Sequence, residues 1–335
     1  MARKRPLAVL GAGSFGTALA LQLARREIPV RLWGRDPALM QRLADEHVND
    51  DYLPGCRFPP LLEPVADLKA ALKGASDVVL AVPSHALREL LLLIAPLLDD
   101  EQGLVCACKG FEPGSGRLPH EVIKSVFGTS RNLAVLSGPT FAKEIGMGVP
   151  TGVTIASPDS DYAEKIAQLF HGGGFRAYPS DDIVGVEVGG AVKNVLAIAV
   201  GCADGFGLGA NTRTILITRG LAEIMRLGET LGAQRETLMG LSGVGDLILT
   251  CTDNQSRNRR LGLAIAKGKT VAEAQAEIKQ TVEGVRVAPE VMRRAREHGV
   301  DMPIAEQVAR VLAGQCTPVE ALKILATRPL RAEND

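Results

Sequence analysis

The residue best suited to chemistry in this sequence is a lysine inside an apolar segment. Lys193 lies within residues 186–201, VEVGGAVKNVLAIAVG, which predict a helix that is apolar all round and therefore buried. Burial lowers the pKa of a lysine, so this side chain is expected to exchange a proton near neutral pH. Asn194 beside it is expected to hold a substrate or backbone group. The alternative is a lysine with a buried stem whose ammonium group reaches solvent.

Partners for this lysine are expected within residues 241–260, LSGVGDLILTCTDNQSRNRR. Asp246 and Thr250 are four residues apart, which places them on one face of a helix. A carboxylate near Lys193 would keep its ammonium form available as a proton donor, and a threonine hydroxyl can bond a substrate oxygen. Asp246 could instead be a simple cap at the N-terminus of this helix.

The same segment ends in donors that suit a phosphate. Ser256, Arg257 and Asn258 supply a hydroxyl, a guanidinium and an amide, and arginine meets a phosphate through two parallel hydrogen bonds. These residues predict a small phosphorylated substrate. The next two residues, Arg259 and Arg260, are interpreted as solvated surface.

A glycine-rich motif near the start of the chain predicts a dinucleotide site. Gly11, Gly13 and Gly16 follow a predicted strand, Leu7–Leu10, and open a predicted helix, Ser14–Arg26. In this context the glycines allow a tight turn, close approach of a pyrophosphate and close packing of helix on strand. The N–H groups at the helix N-terminus would face the phosphates.

The end of the second predicted strand, Val30–Trp33, indicates which nicotinamide cofactor is used. An acidic residue there would bind a ribose 2′-hydroxyl, but Arg35 is suited to a 2′-phosphate. Asp36 is interpreted as the N-cap of the helix that begins at Pro37. We therefore expect NADPH to be preferred, with NADH as the alternative.

Three further segments end strands where ligands bind in such sheets, at the carboxyl edge. They are residues 82–84, 109–110 and 137–142. Lys109 is the one charge that emerges from the apolar strand before it, so it is expected to point into the crevice.

The order of elements predicts two domains. Strand and helix patterns alternate over residues 1–180, which favours a Rossmann-like α/β fold with a parallel, doubly wound sheet. Helical patterns alone follow over 181–335, which predicts an all-α C-terminal domain. Further strands are predicted at Asp77–Val82, Leu104–Cys108, Leu133–Leu136 and Gly152–Ala156. Helices of the second domain are predicted at Val184–Ala203, Thr212–Leu231, Ala264–Ile278, Val285–His298, Pro303–Leu312 and Pro318–Leu325.

Composition argues against several classes of protein. The 335 residues include 38 Lys plus Arg and 38 Asp plus Glu, and aromatic residues make up 4%, so a nucleic-acid-binding surface is not expected. The apolar run at the N-terminus is too short for a signal peptide, and Pro96 interrupts the longest apolar stretch, so no membrane insertion is expected. Scattered cysteines without a CxxC pair predict reduced thiols in a cytoplasmic protein, and the histidines show no metal-binding spacing.

Taken together, these motifs resemble the bacterial-type NAD(P)-dependent glycerol-3-phosphate dehydrogenases. The resemblance runs from residue 11 to residue 284, through GAGSFG, AVPSH at 81, CKGFE at 108, SGPTFAKE at 137, KNVLAIAVG at 193, GLGANTRTILITRGLAEI at 207, LSGVGDLILTC at 241, SRNRRLG at 256 and VEG at 282. It implies reversible reduction of dihydroxyacetone phosphate to sn-glycerol 3-phosphate, which supplies glycerophospholipid synthesis. It also implies a homodimer.

The resemblance further implies roles for individual residues. Lys193 would be the proton donor and acceptor, with Lys109, Asp246 and Thr250 lining the substrate. Ser256, Arg257 and Asn258 would hold the phosphate end, and Gly138 and Thr140 would border the substrate. The cofactor would contact Ser14, Phe15, Arg35, Lys109, Ala142, Arg257 and Glu283.

Two other functions are compatible with part of the pattern. A related β-hydroxyacid-type dehydrogenase would share the glycine motif and a lysine in its helical domain. A non-enzymatic dinucleotide-binding sensor would need only the glycine motif.

Overall fold

A computed structural model describes residues 5–330 and 332 and places a large sheet in the first half of the chain. Eight strands lie in the order β10-β9-β8-β7-β6-β1-β2-β5, and β3 and β4 form a separate antiparallel hairpin. The strands are β1 Leu7–Leu10, β2 Val30–Trp33, β3 Val48–Asn49, β4 Leu53–Arg57, β5 Leu62–Val65, β6 Asp77–Leu80, β7 Gly103–Cys106, β8 Leu133–Ser137, β9 Thr151–Ala156 and β10 Phe175–Ser180.

Helices cover both faces of this sheet, as predicted for a doubly wound fold. They are α1 Ser14–Arg25, α2 Pro37–Glu46, α3 Leu68–Leu72, α4 Leu87–Ile94, α5 Pro119–Phe127, α6 Ala142–Met147 and α7 Ser160–Phe170. Strand β1, which lies inside the sheet, has both of its faces buried. Leu7 and Val9 are buried in the core on one side, and Ala8 and Leu10 are buried in the core on the other. Such strands are apolar at every position because neither face meets water.

The prediction of an entirely parallel sheet is wrong at one strand pair. The six neighbouring strands β5, β2, β1, β6, β7 and β8 are parallel to one another. Strand β9 pairs antiparallel with β8, with Ser137 opposite Thr154. The connecting helix α6 has six residues and spans only about 9 Å, too little to carry the chain back along a whole strand. Arg25 of α1 donates to the carbonyl oxygen of Ile145 in α6 at 2.9 Å, which holds α6 beside the sheet.

Sequence patterns missed the four strands β3, β4, β5 and β10, and proline helps to explain three of the omissions. Pro64 lies in β5 and Pro179 lies in β10, and these are the two edge strands of the sheet. Proline lacks the N–H group that a central strand needs, so it is tolerated at an edge. The hairpin strand β4 contains Pro54 and Gly55, which obscure an alternating pattern.

Beyond Ser180 the described residues form helices and turns with no further strand. The helices are α8 Ile183–Gly205, α9 Gly209–Thr230, α10 Arg235–Leu238, α11 Asp246–Thr252, α12 Arg257–Ala266, α13 Val271–Ile278, α14 Glu283–Glu297, α15 Pro303–Leu312 and α16 Pro318–Ala326. A π-helical turn, Leu241–Gly245, precedes α11.

One predicted helix of this domain is in fact two. The segment predicted as one helix, Ala264–Ile278, is divided between the end of α12 and α13. Gly268 adopts a φ of 89°, which ends the first helix. Thr270 then caps the second helix, since its hydroxyl accepts from the N–H of Glu273.

Helix α8 is the centre of the helical domain. Among the described helices it is the one long and apolar enough to cross a bilayer, but 89% of its most apolar window is buried inside the protein. It is therefore a core helix, as its sequence predicts. Its first half faces the carboxyl edge of the sheet, so any polar side chain there lies between the two domains.

Candidate active site

Two lysines and one aspartate meet where helix α8 approaches the sheet. Lys193 comes from the middle of α8, Lys109 follows β7, and Asp246 is the first residue of α11. The Lys193 ammonium forms an ion pair with Oδ1 of Asp246. The Lys109 Nζ donates to Oδ2 of Asp246 at 2.8 Å and to the carbonyl oxygen of Gly138 at 3.1 Å. A single carboxylate therefore links two cations from different domains.

The cluster is almost completely removed from solvent. The side chain of Lys193 is 7% exposed and that of Asp246 is 1% exposed. The interpretation of Lys193 as a lysine whose ammonium group reaches solvent is therefore wrong. The pKa of Lys193 is lowered to about 7, and burial is the main cause. The Asp246 carboxylate raises this pKa by less than burial lowers it, and the charge of Lys109 lowers it further. An amine with such a pKa can both give and take a proton at neutral pH.

Thr250 completes this cluster from the next turn of α11. Its hydroxyl donates to the backbone oxygen of Asp246 at 2.6 Å and lies 3.5 Å from Oδ1 of the same residue. The prediction that Asp246 and Thr250 share a helical face beside Lys193 is thus matched by the geometry. The Asp246 carboxylate is held by the lysines and not by the N–H groups that a simple cap would bind.

Close backbone packing lets α8 come this near to its neighbours. A Cβ on Gly189 would overlap the carbonyl oxygen of Ser242 in the π-helical turn. A Cβ on Gly190 would lie 2.6 Å from the hydroxyl oxygen of Ser137 at the end of β8. Glycine at these positions brings Lys193 within reach of Asp246.

A chain of amide hydrogen bonds extends from Lys193's neighbour toward α14. The Asn258 Nδ2 donates to Oδ1 of Asn194 at 2.8 Å, and Oδ1 of Asn258 accepts from the N–H of Gly284 at 2.9 Å. The Asn194 amide donates to the carbonyl oxygen of Gly190 at 3.3 Å. Both asparagines still line the cavity described below, so these bonds fix their orientation toward it.

Arg257 and Glu283 lie at the other side of the site. Burial lowers the pKa of Arg257, while the charge of Glu283 raises it. Burial also raises the pKa of Glu283, which accepts a hydrogen bond from the Ser84 hydroxyl at 3.3 Å. A partly desolvated guanidinium is a strong site for an anion, because little water competes with the anion for it.

The glycine-rich loop has the geometry that its sequence predicts. Gly11 adopts a φ of 123° and a Cβ at Gly16 would overlap the carbonyl oxygen of Gly11, so both positions require glycine. In contrast, no atom of the described chain lies within 4 Å of the place a Cβ would take at Gly13. That open space borders the first turn of α1, where free N–H groups can receive a pyrophosphate.

These groups surround a single cavity of about 830 Å³ between the sheet and the helical domain. Such a volume is in the range of small-molecule and cofactor sites. The predicted residues that line it are Gly13, Ser14, Phe15, Lys109, Thr140, Ala142, Lys193, Asn194, Thr250, Ser256, Arg257, Asn258 and Glu283. Among the described residues, the predicted site residues that do not line the cavity are Gly11, Gly16, Arg35, Gly138 and Asp246.

The cavity is strongly basic although the whole chain has no net charge. Among the described residues that line it, Glu283 is the one carboxylate, and the cations are Lys109, Lys143, Lys193, Arg257, Arg260 and Lys279. A cleft lined by charges of one sign concentrates ligands of the opposite sign. Phosphorylated ligands are therefore the class that this cavity favours.

Comparison with known proteins assigns the family. Residues 6–163 match the family described as NAD-dependent glycerol-3-phosphate dehydrogenase N-terminus, and residues 182–323 match its C-terminus. The chain is 55% identical over 328 residues to glycerol-3-phosphate dehydrogenase [NAD(P)+] of Thioalkalivibrio sulfidiphilus, covering 98% of both chains. The chain belongs to the NAD-dependent glycerol-3-phosphate dehydrogenase family.

Two further comparisons agree with this assignment. Glycerol-3-phosphate dehydrogenase [NAD(P)+] of Stenotrophomonas maltophilia is 51% identical over 327 residues, which cover 98% of this chain and 96% of that one. The crystal structure of glycerol-3-phosphate dehydrogenase from Coxiella burnetii superposes with a TM-score of 0.94 at 45% identity, over 97% of this chain and 99% of the other. The predicted Rossmann-like and all-helical domains are confirmed.

A second sequence interpretation at the site of this glycerol-3-phosphate dehydrogenase family member is also wrong. Arg259, interpreted as a solvated surface residue, is 8% exposed. Part of the signal was available in the spacing, because Arg259 precedes the buried residue Gly262 by three positions and so lies on the same side of α12. Arg260 is exposed as expected, but it also lines the mouth of the cavity.

Sequence reasoning also missed the β3–β4 hairpin as part of the dinucleotide site. Its Asn49 is fully buried, and the amide donates to the carbonyl oxygen of Ala12 at 2.9 Å and to the hydroxyl of Thr17 at 2.8 Å. Both acceptors flank Gly13, so Asn49 holds the glycine-rich loop from outside. Tyr52 and Pro54 of the same hairpin line the cavity.

Three further observations concern the cofactor specificity and possible metal sites. Asp36 accepts hydrogen bonds from the N–H groups of Ala38 and Leu39 at 2.9 and 3.3 Å, so it is the N-cap that the sequence indicated. Arg35 beside it is exposed at the end of β2. Among the residues described, there is no group of three or more His, Cys, Asp or Glu side chains that could hold a metal.

Proposed function

We propose that this chain reduces dihydroxyacetone phosphate to sn-glycerol 3-phosphate with NADPH or NADH, reversibly, and so supplies glycerophospholipid synthesis. The observation that carries the proposal is the buried Lys193–Asp246–Lys109 cluster at a basic cavity, in a chain belonging to the glycerol-3-phosphate dehydrogenase family. A proton donor near neutral pKa and a phosphate site in one cavity are what this reduction requires.

The residues around Gly13 fit a nicotinamide dinucleotide. The open space at Gly13, the N-terminus of α1 and the basic cavity wall suit a pyrophosphate, while Ser14, Phe15, Ala142 and Glu283 border the same space. When bound, the nicotinamide supplies a hydride to the substrate's carbonyl carbon. The protein's own task is to place the substrate and to manage the charge on its oxygen.

Lys193 acts on the carbonyl oxygen. As that oxygen gains negative charge, the ammonium group stabilises it and gives it a proton. In the reverse direction the neutral amine takes the proton back. Asp246 holds the ammonium group in place, and Lys109 and Thr250 border the reacting end of the substrate.

The phosphate end of the substrate binds away from the reacting carbon. Arg257, Ser256 and Asn258 are its proposed ligands, Asn194 lies between them and Lys193, and Thr140 borders the substrate. Gly138 does not line the cavity and contributes through its carbonyl oxygen, which accepts a hydrogen bond from Lys109. The Ser256 oxygen accepts from the N–H of Arg259 at 3.2 Å, which leaves its hydroxyl hydrogen free to donate to a phosphate. Binding energy from this distant group fixes the carbonyl beside Lys193.

We also propose that Arg35 makes NADPH the preferred cofactor. Asp36 is occupied as a helix cap, so it is less available to bind a ribose hydroxyl. Arg35→Ala should therefore lower kcat/KM for NADPH by about tenfold and leave that for NADH within about twofold. An unchanged ratio of the two values would refute the role of Arg35.

The remaining proposals concern organisation and location. We place the domain boundary near residue 180, between β10 and α8, and propose a homodimer in the cytoplasm as the family resemblance implies. Sedimentation velocity and cell fractionation test the last two points.

A spectrophotometric assay tests the proposed activity. Purified protein should oxidise NADPH, and NADH more slowly, when dihydroxyacetone phosphate is added. A panel of β-keto acids is the control for a β-hydroxyacid-type dehydrogenase. Turnover of that panel alone would overturn the substrate, and cofactor binding without any turnover would indicate a dinucleotide sensor.

A further inference from the structure

We propose that Arg259 is a positioning residue that fixes the substrate-phosphate loop, here residues 253–256 together with the first two residues of α12 (257–258), to the helix that carries Lys193. This inference rests on the proposed function and adds to it a residue that is not itself a substrate ligand. It concerns two contacts of a buried guanidinium with Asn254 and Asp204.

The Arg259 side chain reaches from α12 in two directions. Its Nη1 donates to Oδ1 of Asn254, in the loop, and its Nη2 donates to Oδ2 of Asp204 at 2.6 Å. The Arg259 and Asp204 side chains are 10% and 6% exposed. A planar guanidinium can make both bonds at once, whereas the single ammonium group of a lysine does not match this fork.

Asp204 belongs to α8, eleven residues after Lys193, at a distance of about 16 Å along the helix. The Arg259 guanidinium therefore links the phosphate loop to the same rigid element that holds the proton donor. The backbone N–H of Arg259 also donates to the Ser256 hydroxyl oxygen at 3.2 Å. One residue thus restrains the loop at two points, Asn254 and Ser256.

Packing of the two helices makes this link rigid. A Cβ at Gly201 of α8 would overlap the carbonyl oxygen of Arg259, and a Cβ at Gly262 of α12 would overlap the carbonyl oxygen of Ile198. The helix backbones therefore touch directly beside Arg259. Since a small shift of a binding group weakens the fit of a substrate, a loop anchored here keeps its donors at a fixed distance from Lys193.

The expected consequence is a defect in phosphate binding and not in chemistry. Without the bridge, the loop becomes more mobile, and the cost of ordering it is added to substrate binding. Lys193 and the glycine-rich loop keep their own contacts. Affinity for the phosphorylated substrate should fall most, NADPH affinity should fall much less because Arg257 is the one expected cofactor contact in the loop, and the pH dependence of turnover should stay as in the wild type.

The chain offers a matched control on the same carboxylate. Arg213 of α9 donates from Nε to Oδ1 of Asp204 at 2.9 Å, and its side chain is 37% exposed. Arg213→Ala removes a cation from Asp204 and leaves the bridge to Asn254. Arg213→Ala would therefore show any general effect of removing a cation from Asp204. It would not show the effect of releasing the loop, because Arg259 still binds Asn254.

The test compares Arg259→Lys with Arg213→Ala and the wild type. Arg259→Lys should raise KM for dihydroxyacetone phosphate at least about tenfold, with kcat lowered and the Kd of NADPH raised by less than about threefold. Arg213→Ala should stay within about twofold of wild type in each. Hydrogen exchange of residues 253–258 should be faster in Arg259→Lys only.

Two results would overturn the inference. One is an unchanged KM in Arg259→Lys, and the other is a uniform loss of kcat, NADPH affinity and Tm, which would mean a general folding role. Should Arg259→Lys not fold, Asp204→Asn keeps the shape and removes the charge, and it should raise the same KM several-fold. Wild-type turnover of dihydroxyacetone phosphate tests the proposed function separately, because its absence would refute that function whatever the variants do.

Discussion

Lys193 and Asp246 form an ion pair in which both side chains are more than nine-tenths excluded from solvent. The lysine comes from the longest helix of the helical domain, and the same carboxylate also binds Lys109 from the sheet. The positive charge of Lys109 on the same buried carboxylate weakens the hold of Lys193 on its proton. The contact between the two domains therefore helps to set the pKa of Lys193, the proposed proton donor.

Replacement of this lysine should abolish most turnover. Lys193→Ala should lower kcat by at least about 100-fold, the usual size of a general-acid contribution, while NADPH binding is retained. Lys193→Arg is the matched variant, because it keeps a positive charge but does not release a proton near neutral pH. Its kcat should also fall sharply. Near-normal turnover in either variant, measured at saturating substrate, would exclude Lys193 as the proton donor.

The two directions of the reaction should have opposite pH dependence. Burial lowers the pKa of Lys193 to about 7, so the protonated donor is lost as pH rises through that value. The kcat/KM for reduction should fall above about pH 7, and that for oxidation should rise over the same interval. Asp246 raises the pKa of Lys193, so Asp246→Asn should move both midpoints to lower pH. Flat profiles, or midpoints that do not move in the variant, would contradict this account.

Arg257 should act mainly on substrate affinity. Arg257→Ala should raise KM for dihydroxyacetone phosphate by about 10- to 100-fold, the loss expected for hydrogen bonds between charged groups. Arg257→Lys should fall between this variant and the wild type, since it keeps the charge and loses the fork. Titration of NADPH fluorescence supplies the comparison. If the affinity for NADPH changed and KM for the substrate did not, the phosphate would have to bind elsewhere.

Asn49 should act on the cofactor from outside the cavity. Asn49→Ala removes two buried donors to Ala12 and Thr17, so the glycine-rich loop loses its support. We expect the Kd of NADPH to rise about 5- to 30-fold, while KM for dihydroxyacetone phosphate changes little at saturating cofactor. Asp51→Asn is the control, because Asp51 lies in the turn of the same hairpin and forms an exposed ion pair with Arg42 of α2. Equal effects of the two substitutions would disprove the role of Asn49.

Local patterns in the sequence were sufficient for much of the fold. The glycine motif, the apolar strands and the long apolar helix each depend on neighbouring residues, because turns and helices form from contacts within a few positions. The pairing of Asp246 with Thr250 is of the same kind, since both lie on one turn of α11. These features were predicted with bounds close to those observed.

Tertiary structure decided the features that depend on distant residues. The reversal of β9, the support of Gly13's loop by Asn49 and the burial of Arg259 against Asp204 all join segments far apart in the chain. No local pattern specifies such partners. The sequence by itself determined that a lysine would be buried beside a dinucleotide site, because composition alone makes α8 a core helix. Only the fold decided that the Asp246 carboxylate, which pairs with this lysine, would also bind Lys109, because that requires the sheet edge and α11 to meet at one point.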